Sequence, residues 1–226
     1  MDYNCRRIVD VTRIIDLTHP IEHGSLGYPG DPAAEIAPLG SISSVGYNTT
    51  RISLSSHHGT HLDAPFHFFD EGKTLDQLPL EWFYGPARVV DLAPSTALEP
   101  GTEITRAMLE PFAEAFQPGA RVLLRTGWDQ RFGTPEFYEE HPSLALDAAR
   151  WIASRRIRLL GVDMPSPSLD PIQVHRVFLA EGSEIVLVEA LANLHMLPGQ
   201  VIFCAFPLKI IGGDGSPVRA VAIVED

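Results

Sequence analysis

A chain of 226 residues with 45% apolar and 20% charged side chains is long enough to bury one large core, and this balance excludes a disordered or fibrous protein. Seventeen Lys and Arg against 29 Asp and Glu leave a formal net charge of −12, a field that repels nucleic-acid backbones and anionic membrane surfaces and argues against both as partners. The two cysteines, Cys5 and Cys204, are too few and too far apart for a disulfide framework or a zinc ribbon.

In chain order, the opening MDYNCRRIVDVTRIIDL holds no uninterrupted apolar stretch of the signal-peptide kind. No later run approaches the roughly 18 apolar residues of a membrane span, so cytoplasmic residence is the expectation. Short β-branched runs between turn residues predict strands at RIIDLT (13–18), TTRISLS (49–55), ARVVDL (87–92), ARVLLRT (120–126), IRLLGVD (157–163), EIVLVE (184–189) and QVIFCAFPLKII (200–211). TRAMLEPFAEAF (105–116) reads as a helix interrupted by Pro111. A clearer helix is expected over Ser143–Arg156, with Ser143 as its cap and Leu144, Ala148, Trp151, Ile152 and Arg155 at three- and four-residue spacing. Regular βα alternation is missing. The expected fold class is therefore α/β, a single-domain sandwich over residues 1–226 with a mixed, largely antiparallel sheet and few helices. The turn-rich PGDPAAE and GGDGSP segments read as loops within that domain.

The chemistry concentrates in one place. Of nine histidines, His57, His58, His61 and His67 fall within eleven positions, with Asp63 among them. His57, His61, Asp63 and His67 share one parity, so an extended chain points them to one face. A straight strand still fails: at roughly 3.3 Å per residue, His57 and Asp63 stand too far apart for bonds of about 2.0–2.2 Å to one ion. The chain must bend, and Gly59 and the Ala64–Pro65 step are where it can. The same residues argue against a regular helix presenting His57 and His61 one turn apart. Imidazole together with carboxylate suits a divalent ion such as Zn²⁺, with Mn²⁺ also acceptable. A polar turn bearing surface histidines is the alternative for this segment.

HHGTHLDAPFHF resembles the HxGTHxDAPxHF signature of the cyclase family, which contains bacterial-type kynurenine formamidases and isatin hydrolases. The resemblance extends to YPGD (28–31), LLRTGW (123–128), GVDMPS (161–166), EALANL (189–194) and PLKIIGGDGSPVRAVAI (207–223). It implies a swivelling β/β/α fold and a metal-dependent hydrolase that opens a C–N amide bond. N-formyl-L-kynurenine is the expected substrate, and a cyclic amide, ester or lactone such as isatin the alternative. It also implies that His57, His61 and Asp63 hold metal, with Asp63 able to bridge two ions, and that His67 is the catalytic acid and base. A later His and Glu complete the family's site, matched here by His175 and Glu189. The spacing around Glu181 and Glu184 leaves those two as competitors of Glu189. Tyr28 stands where relatives carry Trp and offers an aromatic face to substrate. Relatives of this kind are homodimers or larger assemblies.

Beside the resemblance, the residues leave several roles open. His58 is expected to face away from the ligands, and His19, His23, His141 and His195 lack ligand-spaced companions. Thr60 and Ser56 can bond ligand side chains or simply a backbone turn. Asp163 can support the site from a strand end or cap a turn. Neither a GxSxG nucleophile elbow nor a P-loop occurs. From another class, a metal-binding scaffold without turnover remains to be weighed, but such a protein has little use for His67.

Overall fold

A computed structural model describes residues 13–224; Cys5 and the start of the amino-terminal segment read for a leader lie outside the described residues. The strands, in order, are β1 (Arg13–Asp16), β2 (Glu35–Gly40), β3 (Thr49–Ser53), β4 (His61–Asp63), β5 (Tyr84–Asp91), β6 (Glu103–Ile104), β7 (Arg121–Arg125), β8 (Ser143–Leu144), β9 (Leu159–Val162), β10 (Val186–Glu189), β11 (Gln200–Cys204), β12 (Gly215–Pro217) and β13 (Val221–Val224). The α-helices are α1 (Ile42–Val45), α2 (Arg106–Leu109), α3 (Pro135–Glu139), α4 (Leu146–Ser154) and α5 (Pro171–Leu179). Among the described residues no helix is long and apolar enough to cross a membrane.

Nine strands form one sheet in the order β1-β13-β11-β5-β7-β9-β10-β4-β12. The three central pairings, from β5 through β7 and β9 to β10, are parallel. The five outer pairings are antiparallel, which makes the sheet mixed and largely antiparallel. The central strands read as continuous apolar runs because both of their faces are covered: β9 and β10 are buried at every position. Alternation along them sorts the side chains into two cores. Val122, Leu124, Leu160, Val162 and Leu187 pack with the helices and with Trp128, Phe137 and Phe178. Leu123, Leu159, Val186 and Val188 face Leu17, Leu62, Phe83 and Phe203 on the other side. Gly161 lets β9 carry Leu191 and Leu123 against its backbone, where a Cβ would lie 2.7 and 2.8 Å from them.

Several elements differ from the sequence expectation. The run ending in QVIFCAFPLKII stops pairing at Cys204, and residues 205–211 form a loop apart from an isolated bridge at Pro207. Cys204 is a free, half-buried thiol. Ser143 is not a helix cap: Ser143 and Leu144 pair with β6, and α4 begins after Ala145 with no side-chain cap. The helix interrupted by Pro111 becomes a single turn, α2, followed by 3₁₀ turns over Glu110–Ala115 that kink at Phe112. TTRISLS pairs as β3 only with β2, in an exposed hairpin outside the main sheet.

Helix α5 has no strong sequence signal. Nine residues are too few to be stable alone. Pro171 at its first turn preorganises it, and Val174, Phe178 and Leu179 on one face are buried against the helical core. Burial of each such side chain contributes roughly 1.5–3 kcal/mol, far more than propensity differences of up to about 0.7 kcal/mol per residue. His175 lies on the same buried face.

Candidate active site

The segment 57–67 bends where Gly and Pro permit it. Gly59 takes a φ of +62° in the turn before β4, and Ala64 is extended ahead of the 3₁₀ turn Pro65–His67. Between these bends β4 is three residues long, so His61 and Asp63 share one face while Leu62 enters the opposite core. β4 pairs with β10 on one side and β12 on the other. The register sets Glu189 opposite His61 and Gly215 opposite Asp63. Strand pairing thus joins a carboxylate to a histidine that lies 128 residues earlier in the chain, and α5 adds His175 from above.

Two buried carboxylates alternate with three imidazoles. Asp63 Oδ1 lies 2.8 Å from His57 Nδ1 and 3.4 Å from His61 Nε2, and Asp63 Oδ2 is 3.4 Å from His175 Nε2. Glu189 reaches His61 Nε2 at 3.3 Å and His175 Nε2 at 3.0 Å. The far nitrogens are already committed: His61 Nδ1 donates to the Gly59 carbonyl at 2.8 Å and His175 Nδ1 to the Pro171 carbonyl at 2.7 Å. That assignment leaves both Nε2 atoms facing the carboxylates, where each can carry a proton or give its lone pair to a cation.

These donors fit a divalent ion. Four ligands at about 2.1 Å in a tetrahedron stand roughly 3.4 Å apart, close to the 3.0–3.4 Å separations of His61 and His175 from Asp63 and Glu189. Asp63 Oδ2 is buried and accepts no hydrogen bond, an orphaned charge that calls for a cation. Two sets of donors within 4.8 Å of one another, His57–Asp63–His67 and His61–Asp63–Glu189, share Asp63.

Without an ion the imidazoles carry the balancing charge. Burial disfavours the charged ring of His57, yet Asp63 and Asp214 outweigh it and push its pKa up to about 10. Burial likewise opposes protonation of His175, and Asp63 and Glu189 raise it to about 10. Burial tends to raise the Asp63 and Glu189 carboxyls, but the surrounding histidines hold both below their ordinary values. His67 differs: half-buried and close to two other histidines, it is pushed below 6.5, chiefly by burial.

The cluster floors a cavity of about 400 Å³, within the range of small-molecule sites. Tyr28, Phe68, Phe137 and Tyr138 give it an aromatic wall. Tyr28 meets Tyr138 edge to face at 6.4 Å, and Phe68 stacks on His175 at 4.7 Å. His67 stacks on His57 with ring centroids 3.9 Å apart.

The structure therefore brings His57, His61, His67, His175, Glu189 and Tyr28 to one cavity, with Asp63 buried beneath its lining. Glu181 and Glu184 do not reach it, and Glu184 pairs instead with Lys73 at 2.7 Å. His58 is buried away from the cavity, with Nε2 2.9 Å from Ser25 Oγ, where it ties down the loop bearing Tyr28. Thr60 bonds backbone only, donating to the Ala190 carbonyl at 2.6 Å and accepting from the His19 amide. Asp163 is buried beneath the loop that follows β7, accepting from the Thr126 and Gly127 amides, and burial raises its pKa to about 7.

Asp214 is the residue that sequence reasoning missed. It sits in the GGDGSP loop, and its Oδ2 lies 2.9 Å from His57 Nε2 and 3.8 Å from His67 Nδ1. Its signal was the pair of flanking glycines: a Cβ at Gly215 would stand 2.6 Å from the His57 ring.

Comparison with known proteins matches residues 15–169 to the model of the Cyclase family. A kynurenine formamidase of Bacillus cereus is 34% identical over 213 residues, covering 92% of this chain and 95% of the relative. Isatin hydrolase A of Labrenzia aggregata, solved with benzyl benzoate, superposes with a TM-score of 0.84 at 27% identity, over 95% of this chain and 94% of that one. A potential metal-dependent hydrolase with cyclase activity superposes at 0.77 with 25% identity, over 95% and 98%.

The charge balance makes the metal-free protein pH-sensitive in a defined window. The raised histidines stabilise the fold fully below 6.5 and lose that contribution as pH rises through about 10. The depressed carboxylates stabilise it above about 4.5 and lose that contribution in acid. Denaturant titrations of the metal-free protein should peak between these limits. Metal should move the optimum upward, because it binds the deprotonated rings.

Proposed function

The chain belongs to the Cyclase family of metal-dependent hydrolases, and from that premise we propose that it hydrolyses N-formyl-L-kynurenine to L-kynurenine and formate, a step of tryptophan breakdown. The observation that carries the reading is the alternation of three imidazoles with two buried carboxylates under an aromatic-walled cavity, with His67 half-exposed beside them.

His57, His61, Asp63, His175 and Glu189 would hold one or two metal ions. Zn²⁺ suits the mixed imidazole and carboxylate set, and Mn²⁺ is accepted by the same donors. When bound, such a cation lowers the pKa of water toward about 7 and polarises an amide carbonyl.

The chain's own residues supply the rest. His67 is the proton carrier: its lowered pKa keeps the ring neutral near pH 7, ready to take a proton and return it to the leaving nitrogen. With Nδ1 toward Asp214, Nε2 is the nitrogen left for that exchange. Tyr28, Phe68 and Tyr138 bind the aryl ring. No Lys or Arg lines the cavity among the described residues, whereas Asp31 does, so the ammonium of an amino-acid side arm is the charge its rim accommodates.

A second reading, ring opening of a cyclic amide such as isatin, draws on the likeness to isatin hydrolase A. A homodimer is the proposed assembly. It is supported by the β2–β3 hairpin, which exposes Leu39, Ile42, Val45, Tyr47 and Ile52 and is marginal as a free two-stranded sheet.

Zn²⁺- or Mn²⁺-loaded protein should release formate from N-formyl-L-kynurenine, fall to background after chelation and recover on metal return. Faster turnover of isatin than of any formamide would install the second reading. His67→Asn should keep its metal while kcat drops about a hundred- to ten-thousand-fold, and loss of metal would make His67 a ligand instead. Light scattering should give twice the chain mass, a value that a monomer would contradict.

A further inference from the structure

The metal set proposed for this site leaves two carboxylates at the cavity unused, Asp31 at its rim and Asp214 beside the histidines. Asp214 is held by backbone on both sides: the Ala64 amide donates to its carbonyl at 2.8 Å, the Leu75 amide donates to the Gly213 carbonyl at 2.9 Å, and Gly215 pairs with Asp63 in β12. Its side chain is 40% exposed, so its position is not forced by packing. Nevertheless one oxygen, Oδ2, faces a nitrogen from each of two stacked imidazoles, His57 Nε2 at 2.9 Å and His67 Nδ1 at 3.8 Å. Ser56 Oγ donates to the same oxygen at 3.3 Å.

We propose that Asp214 is a positioning residue that sets the ring planes and tautomers of His57 and His67 together, linking the metal-holding ring to the proton-carrying one. The proposal rests on the metal-holding role of His57 and the proton-carrying role of His67. An imidazole that gives one nitrogen to a metal keeps its proton on the other, and donation of that N–H to an oxygen fixes the ring and raises its basicity. His61 and His175 use the carbonyls of Gly59 and Pro171 for this purpose. His57 turns Nδ1 to Asp63, so its Nε2–H donates to Asp214, a charged and therefore stronger acceptor. The missing side chain of Gly215 gives the ring room to lie in that plane. His67, stacked on His57, then presents Nδ1 to the same oxygen and Nε2 to substrate.

Asp214→Ala and the near-isosteric Asp214→Asn test this, each first matched to the native protein in circular dichroism and melting. Metal stoichiometry should be unchanged, while Zn²⁺ affinity against a chromophoric chelator weakens about ten- to hundredfold in Asp214→Ala. kcat should fall at least about tenfold with KM within about twofold, since positioning of the proton carrier acts on the chemical step. In Zn²⁺-loaded protein, a downfield imidazole N–H resonance should be present in the native chain, absent in Asp214→Ala and shifted in Asp214→Asn. Native affinity with an unchanged N–H resonance would overturn the proposal, and so would loss of a full metal equivalent, which would make Asp214 a ligand. Affinity and resonance are read without substrate, so a native enzyme inactive on formamides would defeat the functional reading and leave this test standing.

Discussion

Two carboxylates buried side by side govern this structure. Asp63 and Glu189 place oxygens within 4.8 Å of each other in a region almost closed to water. At an effective dielectric constant of about 20, repulsion at that distance is roughly 3–4 kcal/mol, a large part of the roughly 5–15 kcal/mol that typically holds a domain together. Nothing apolar offsets such a term. It is met by positive charge, and the positions of His57, His61 and His175 follow from that need. Three rings approach from three separate elements, two of them with their outer nitrogens already bonded to backbone carbonyls. A cation held among them would supply that charge without protons on the rings.

The scaffold meets this demand by dividing the sheet. One face and its helices form a continuous apolar core, and the other packs under β1, β11 and β13. The charged cluster lies where β4 and β10 run out at the sheet's far side, so polar groups gather at strand ends and the strand centres stay apolar. Thr60 clasps the two sides by bonding the Ala190 carbonyl, immediately after Glu189. His58, one residue past His57, points the other way and anchors the Tyr28 loop through Ser25. Neighbours in sequence thus serve opposite faces of one turn.

How much of this was legible in the sequence depends on the range over which each feature is determined. The bend of residues 57–67 was readable because it is local: parity, one glycine and one proline decide it. Glu189 was singled out through the family resemblance of the segment it opens and its place at the end of an apolar run, and the structure sets it across from His61. The helix that carries His175 was not, because nine residues with ordinary propensity become helical only through burial against a distant core. Ser143 looked like a cap and is a strand residue, since pairing with β6 overrides a local preference. Asp214 was missed because its partner ring lies 157 residues away, so the glycines that flank it read only as a turn. The sheet class was recoverable from uneven alternation of strands and helices, but the separate hairpin of β2 and β3 was not, because period-two patterning does not say which sheet a strand joins.

The three-residue strand β4 has one more implication, which concerns time. It is flanked by β10 and β12, which are made 123 and 152 residues later as judged from their first residues against Asp63. A chain emerging from the ribosome therefore displays His57, His61 and Asp63 long before either neighbour exists to hold them. Until β10 arrives His61 lacks its partner Glu189, and until β12 arrives the His57 ring lacks the backbone of Gly215 against which it lies. Closure of the charged cluster is consequently a late event in the making of the chain, because β4 needs β10 on one side and β12 on the other.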